Sequence, residues 1–154
     1  MSKLLLLAGA VAAVAAGSTY NQSRSRAAAV ILGETPIERT VWDSVYTDSQ
    51  AVRGDSVYKA TCVKCHGVTL AGGDDGGPLT GLNFLGNWNG LPVGDLYDKI
   101  RTTMPPDKPK SIPPTQLADV VAYVLAQNHF PAGTRPLVDD ADSLKAIKIV
   151  QSKP

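Results

Sequence analysis

The chain has 154 residues and a formal net charge of +1, a length that suits one domain. Because its charges nearly balance, the sequence gives no sign of a nucleic-acid-binding surface, and we expect no nucleic-acid partner. The composition includes 14 glycines and 11 prolines but only two cysteines, two histidines and two methionines. Each candidate ligand of a soft metal can therefore be considered individually.

Residues 1–17 have the pattern of a secretory signal sequence. Lys3 gives the positive start, residues 4–16 are apolar, and small residues near Ala13 suit a cleavage site. The apolar run is short for a bilayer span, and an uncleaved N-terminal anchor is the alternative. The sequence thus predicts a periplasmic or other extracytoplasmic protein, with membrane association through an uncleaved N-terminus or a partner complex.

Residues 18–44 are predicted to be an N-terminal extension. Their first part is polar, and the Thr35-Pro36 pair interrupts the short apolar stretch that follows. Either the main domain or a partner protein would provide the surface on which this extension lies.

The first helix of the main domain is predicted from Thr47 to about Thr61. Thr47 and Gln50 have the spacing of a capping box, in which each side chain bonds the other residue's backbone N–H. Gly54 and Tyr58 lie four residues apart and share one face. Because a glycine inside a helix costs about 1 kcal/mol relative to alanine, we expect Gly54 to permit the close approach of another helix.

After this helix comes Cys62-Val63-Lys64-Cys65-His66, the C-x-x-C-H pattern of covalent haem attachment. Two thiols on one helical turn can each add to a vinyl group of the same porphyrin, and the histidine can then bind its iron. A disulfide would leave the histidine unexplained, a thioredoxin-like site requires a βαβ context, and zinc requires four ligands. The motif therefore predicts one haem c, held covalently through two thioethers, with His66 as an iron ligand.

Residues 67–92 are rich in Gly, Asn, Asp and Pro and are predicted to be mainly loop. A long loop in a compact domain is usually functional, and this one would wrap the haem edge. A solvated turn explains Asp74 and Asp75 better than a metal site does, because two adjacent carboxylates alone are weak support for a metal.

Two further helices are predicted at about residues 93–102 and 115–127, where apolar residues recur at steps of three and four. The proline-rich loop 105–114 separates them. Residues 131–154 form a C-terminal tail. Four apolar residues of this tail either pack on the surface or form a short strand: Leu144, Ile147, Ile149 and Val150.

Met104 is the candidate for the second axial ligand of the iron. Met1 belongs to the signal, so Met104 is the remaining thioether, and Pro105 pushes it into extended backbone. The alternatives are that Met104 fills the core, that His129 binds the iron instead, or that a five-coordinate iron is open to a small ligand. His129 ends the last predicted helix, and we expect it at the surface.

Over about residues 45–130 the chain resembles the class I c-type cytochromes, the cytochrome c family. In that family a glycine and an aromatic residue of the first helix pack on an aliphatic and an aromatic residue of the last. Gly54 with Tyr58, and Val120 with Tyr123, stand at these positions. The resemblance implies an all-α, small haem-wrapping cytochrome c fold with three main helices and long loops.

The resemblance also implies roles around the haem. Gly77-Pro78-Leu79 is similar to a family segment in which the proline carbonyl, here that of Pro78, accepts a hydrogen bond from the ligand histidine. Met104-Pro105 is similar to the family's ligand turn. Trp88 matches a tryptophan that reaches a haem propionate in some members, with loop packing as the alternative. Arg101 could also pair with a propionate, or could lie at a solvated helix end.

From Trp88 to Met104, and at the end of the last predicted helix over residues 128–133, the chain resembles bacterial monohaem cytochromes, some of which are linked to quinoprotein dehydrogenases. This implies an exported one-electron carrier with His/Met-ligated iron, and not an enzyme. Its expected partners are redox proteins, with a dehydrogenase or membrane complex as donor and an oxidase or reaction centre as acceptor. The alternatives are a fixed electron-transfer subunit of a respiratory, photosynthetic or quinoprotein dehydrogenase complex and, with less support, a haem gas sensor or a peroxidase.

Overall fold

The computed structural model describes residues 39–154. The predicted signal sequence and most of the predicted N-terminal extension lie outside the described residues. Within residues 39–154, every helix is too short or too polar to span a bilayer.

Six helices and one two-stranded sheet form this part of the chain. In chain order they are β1 (Arg39–Thr40), α1 (Asp48–Thr61), α2 (Val63–His66), α3 (Gly81–Trp88), α4 (Val93–Thr103), α5 (Pro114–Gln127), α6 (Ala141–Leu144) and β2 (Ile147–Lys148). The two strands are parallel, with Arg39 opposite Ile147 and Thr40 opposite Lys148. The predicted all-α class is confirmed, and α1, α4 and α5 are its three main helices.

Helix α1 begins with the predicted capping box. The Thr47 hydroxyl accepts a hydrogen bond from Gln50 N–H at 3.3 Å, and Thr47 N–H donates to Gln50 Oε1 at 3.4 Å. The buried side-chain amide of Gln50 also makes two hydrogen bonds with the backbone of Leu137. Its Nε2 donates to Leu137 O at 2.9 Å, and its Oε1 accepts from Leu137 N–H at 2.6 Å. Gln50 thus starts α1 and also ties the C-terminal tail to it.

Helices α1 and α5 cross at Gly54, as the sequence predicted. A Cβ atom on Gly54 would collide with Asp119 O and lie 2.8 Å from Tyr123 Cβ. Beside this contact the ring centroids of Tyr58 and Tyr123 are 5.3 Å apart. Arg53 Nε and Nη2 bond the two carboxylate oxygens of Asp119 at 2.7 and 2.8 Å, so a bidentate ion pair also joins the two helices.

Helix α3 was not predicted, although the rest of residues 67–92 is loop, as the composition indicated. Phe84 and Trp88 stand four residues apart on α3, and Phe84 is buried. Their ring centroids are 6.2 Å apart. The glycines and asparagines of this stretch favour a loop. Packing of Phe84 into the core stabilises a helix that its composition does not favour.

The C-terminal tail is built into the core. Strand β2 and the residue after it, Ile149, are hydrogen-bonded to two other parts of the chain. On one side Val41 N–H donates to Lys148 O at 2.9 Å, and on the other Ile149 N–H donates to Leu91 O at 2.9 Å. Gly90 N–H in turn donates to Ile149 O at 2.7 Å. The tail therefore forms a short strand, and its apolar side chains are buried rather than spread on the surface: Leu144, Ile147 and Ile149.

Residues 39–44, at the end of the predicted N-terminal extension, pack on the same unit. The Trp42 indole N–H donates to Val150 O at 3.0 Å, and its ring meets the ring of Phe130 edge-on at 5.1 Å. Val41 is fully buried. The last residues of the extension therefore pack on the main domain, which is one of the two surfaces predicted for it.

Candidate haem site

The five residues of the C-x-x-C-H motif lie at the end of α1 and on the single turn of α2. Cys62 caps α1, where its N–H donates to Tyr58 O at 2.8 Å. His66 N–H donates to Cys62 O at 3.0 Å, so the motif continues the helical path with little interruption. Cys62 and Cys65 are half-buried free thiols three positions apart, as attachment of both to one porphyrin requires.

The Cys62 thiol lies in an environment that disfavours its ionisation. Burial, and secondarily the neighbouring Cys65, raises the pKa of Cys62 to about 11. This thiol is therefore almost entirely protonated at neutral pH. Disulfide exchange requires a thiolate as the attacking group, so Cys62 is poorly suited to that role.

The imidazole of His66 is held by the loop that follows it. Its Nδ1 lies 2.8 Å from Gly77 O. Because a carbonyl oxygen can only accept a hydrogen bond, Nδ1 carries the proton and the lone pair of Nε2 is left for a metal. Histidines that bind metals are commonly oriented by such a bond from the other ring nitrogen.

The acceptor of this bond corrects the expectation from the family resemblance, which was the carbonyl of Pro78. Two backbone bonds explain why Gly77 is the acceptor instead. Gly73 N–H donates to Gly76 O at 2.8 Å and closes a turn, and Leu79 N–H donates to Leu70 O at 2.8 Å. Together they set the register of the loop and place Gly77 opposite the ring.

Gly76 allows the loop to approach the motif this closely, and Gly72 allows the loop to fold back on itself. A Cβ atom on Gly76 would lie 2.7 Å from Cys65 O and 3.0 Å from His66 Nδ1. A Cβ atom on Gly72 would lie 2.9 Å from the Pro78 nitrogen, and Gly72 has a φ of +88° that disfavours other residues. The composition predicted a loop here, but it gave no sign that Gly76 lies directly against His66.

Tyr58 supports the motif from α1. Its hydroxyl donates to Gly67 O at 2.7 Å, and Gly67 is the residue after His66. Burial, followed by the nearby Cys62 and Tyr123, raises the pKa of Tyr58 to about 12. The neutral phenol is thus the form that this position favours.

We expect Tyr58→Phe to lower the free energy of unfolding by about 1 kcal/mol at neutral pH, because the bond to Gly67 is lost. The phenol titrates near 10 when unfolded and near 12 when folded, so folding favours its neutral form. The contribution of the neutral Tyr58 phenol to the free energy of unfolding is therefore complete below about pH 10 and is lost as the pH rises through about 12. Urea unfolding of wild type and variant should therefore show a difference that shrinks over this range. A difference independent of pH would contradict the assignment.

Met104 lies at the C-terminal end of α4, where its N–H donates to Ile100 O at 2.9 Å. Its φ of −124° and ψ of 144° confirm the extended backbone predicted from Pro105. The loop that follows is closed by Lys110 N–H, which donates to Arg101 O at 3.0 Å. The half-buried Met104 side chain is thus presented from a well-defined backbone.

Trp88 and Arg101, the two candidates for propionate contact, lie on α3 and α4. Trp88 is half-buried and packs on Phe84. The exposed Arg101 bonds Asp98 on the same helix, with N–O distances of 3.1 and 3.0 Å. The structure thus shows packing for Trp88 and an ion pair near the helix end for Arg101, and their propionate contacts stay predictions.

His129, the rival axial ligand, lies just beyond α5 with a φ of +63°. Its N–H donates to Ala126 O at 2.9 Å in the turn that ends the helix. The residue is exposed, as expected from the sequence.

The helical fold and the C-x-x-C-H motif, with its oriented histidine, define the class of c-type cytochromes. Residues 49–124 match the family model described as cytochrome c oxidase, cbb3-type, subunit III. The match runs from the first turn of α1 to near the end of α5, and it includes the motif, its loop and Met104. The chain therefore carries a c-type cytochrome domain, a domain of electron carriers. Comparisons with curated proteins and with solved structures gave no match.

The donor set fits the haem c that this class carries. Two thiols stand on adjoining helical segments, and an imidazole beside them has its Nδ1 occupied and its Nε2 free. Gly76 leaves no side chain between the loop and the motif. These residues are suited to thioether bonds and to one nitrogen ligand of iron.

Proposed function

We propose that the protein is an exported monohaem cytochrome of the class I type, which carries single electrons between redox proteins. The observation that carries this proposal is the C-x-x-C-H motif with His66 Nδ1 held at 2.8 Å from Gly77 O. The chain contains two cysteines in all, enough for the thioethers of one haem.

Each residue of the site has a definite part in this function. Cys62 and Cys65 would hold the haem covalently, and His66 would bind its iron through Nε2. Met104 would supply the second axial ligand, and Trp88 and Arg101 are candidates for the propionates. When bound, the haem supplies a one-electron ferric/ferrous couple, whose reduction potential a methionine ligand raises.

The protein's contribution to electron transfer would be to hold His66 and Met104 as the same two ligands of the iron in both oxidation states. The bond from His66 to Gly77 restrains rotation of the imidazole, and the extended backbone at Met104 fixes the origin of its side chain. If His66 and Met104 both bind the iron, a substrate would find no open coordination position. This arrangement favours a carrier over an enzyme or a gas sensor.

The proposed location is the periplasm or another extracytoplasmic space. The signal pattern of residues 1–17 supports it, as does the motif, since c-type haem is attached outside the cytoplasm. The partners are redox proteins, with a dehydrogenase or membrane complex as donor and an oxidase or reaction centre as acceptor.

A second candidate is a fixed electron-transfer subunit of a membrane complex, and the match to a cbb3-type oxidase subunit III model favours it. It involves the same chemistry in a different assembly. Gel filtration of detergent-solubilised native membranes distinguishes the two. Co-elution with an oxidase in stoichiometric amount would support the fixed subunit, and elution at the size of the single chain would support the mobile carrier.

The carrier function predicts rapid reduction of the purified holoprotein by small donors and rapid oxidation by small acceptors near neutral pH. Turnover of peroxide or nitrite should be slight, because His66 and Met104 would leave the iron no open position. Met104→Ala provides the matched control, since an opened iron should gain peroxidase activity. Wild-type peroxide turnover at rates typical of enzymes, on the order of 10 per second, would contradict the proposal and favour the peroxidase.

A further inference from the structure

Asn128 is a buried side-chain amide at the end of α5, and only 7% of it is exposed. All of its polar atoms are engaged. Nδ2 donates to Val124 O and to Leu79 O, both at 2.9 Å, and Oδ1 accepts from Gly81 N–H at 3.2 Å. The bond to Val124 lies within the end of α5. The other two reach across to a different segment, which capping of α5 does not require.

The segment that Asn128 holds is the continuation of the loop at His66. Leu79 donates its N–H to Leu70 O at 2.8 Å and accepts from Asn128 with its carbonyl, so both of its backbone polar groups are fixed. Pro78, whose φ is restricted by its ring, is the single residue between Leu79 and Gly77. The position of the Gly77 carbonyl is therefore coupled to Asn128 through a short and stiff piece of chain.

We propose that Asn128 is a positioning residue, which holds the Gly77 carbonyl against His66 Nδ1 and thereby tunes the reduction potential. This inference rests on the proposed function, in which His66 binds the iron. A strong hydrogen bond from Nδ1 makes the imidazole a more basic ligand, which favours ferric over ferrous iron. Loosening the carbonyl should weaken that bond, lower the basicity and raise the potential.

The test compares Asn128→Ala with Gln50→Ala in the haem-loaded protein. Gln50 is the matched control, because its buried amide also bridges backbone groups, those of Leu137, but it bonds no residue of the loop at His66. Two readouts are followed: the reduction potential, and the hydrogen-exchange rate of His66 Nδ1–H in the reduced, diamagnetic protein by ¹⁵N NMR.

Asn128→Ala should speed exchange at His66 and raise the potential. Bonds to a metal-bound histidine commonly change affinity by 10-fold or more, and Asn128 acts one step further out. We therefore expect up to about a tenfold change in the ferric-to-ferrous preference, equivalent to about 59 mV for one electron. Gln50→Ala should lower stability without changing either readout.

Wild-type exchange and potential in a destabilised Asn128→Ala variant would overturn the inference and leave Asn128 a purely structural residue. Equal changes in Gln50→Ala would overturn it as well. If Asn128→Ala does not fold, Asn128→Asp replaces it, since Asp keeps an acceptor for Gly81 but lacks the donor to Leu79. It is judged on exchange alone because its charge would shift the potential by itself, and wild-type exchange would again overturn the inference. A wild-type protein without histidine-ligated iron would instead defeat the proposed function.

Discussion

Replacing Met104 by alanine should remove one axial ligand of the iron while the haem stays covalently attached. Cys62 lies between α1 and α2 and Cys65 lies on α2, whereas Met104 lies at the end of α4, so the substitution leaves the thioether positions untouched. Alanine has no group that can bind iron. The ferric protein should lose the weak long-wavelength absorption band of thioether ligation, and the ferrous protein should bind carbon monoxide. The reduction potential should fall, because methionine ligation raises it.

His129→Ala is the matched control for this experiment. His129 is the other side chain that the sequence offered as axial ligand, and it is exposed beyond α5. Its replacement should leave the absorption spectrum and the potential unchanged. A spectrum that changes with His129→Ala and not with Met104→Ala would show bis-histidine iron and would exclude Met104 as the ligand.

The largest loss of stability is expected for Gly54→Val. A Cβ atom at this position already meets the backbone carbonyl of Asp119 and lies 2.8 Å from Tyr123 Cβ. Neither group can move aside alone, since one is helix backbone and the other is the root of a packed side chain. The α1–α5 pair must separate, so we expect a loss at or above the upper end of the usual overpacking range, about 3 kcal/mol.

Gly86→Val is the matched control, because Gly86 also lies in a helix, α3, and has open space where a Cβ would stand. Its replacement should change stability by less than about 0.5 kcal/mol. Urea unfolding of the two holoprotein variants at the same pH measures both effects. Similar stabilities for Gly54→Val and Gly86→Val would mean that the helices do not cross at Gly54.

The parts of the fold that follow from local chemistry were predictable from the sequence. The capping box of Thr47 and Gln50 marked the start of α1, and Pro105 marked the end of α4. The close crossing at Gly54 was also predictable, because an unfavourable glycine in a helix requires a reason elsewhere. The C-x-x-C-H motif indicated covalent haem attachment directly, since few other sites use two cysteines and a histidine at that spacing.

The parts that depend on distant contacts were not predictable. Helix α3 forms because Phe84 is buried in the core, and strand β2 forms between segments that lie far from it in the sequence. The choice of Gly77 rather than Pro78 as the partner of His66 is a matter of loop register, which two backbone bonds decide. Asn128 had no signal in the sequence, because a polar residue after a helix is usually an ordinary cap.

The mass of the fully denatured protein tests the central claim most directly. The protein should be expressed with export and haem-attachment machinery and then extracted with acidified acetone. We predict that it keeps its red colour and has the mass of the mature chain plus one haem, and that a variant with serine at positions 62 and 65 has neither. Colour that leaves with the solvent, together with the mass of the chain alone, would contradict a covalently bound haem at Cys62 and Cys65.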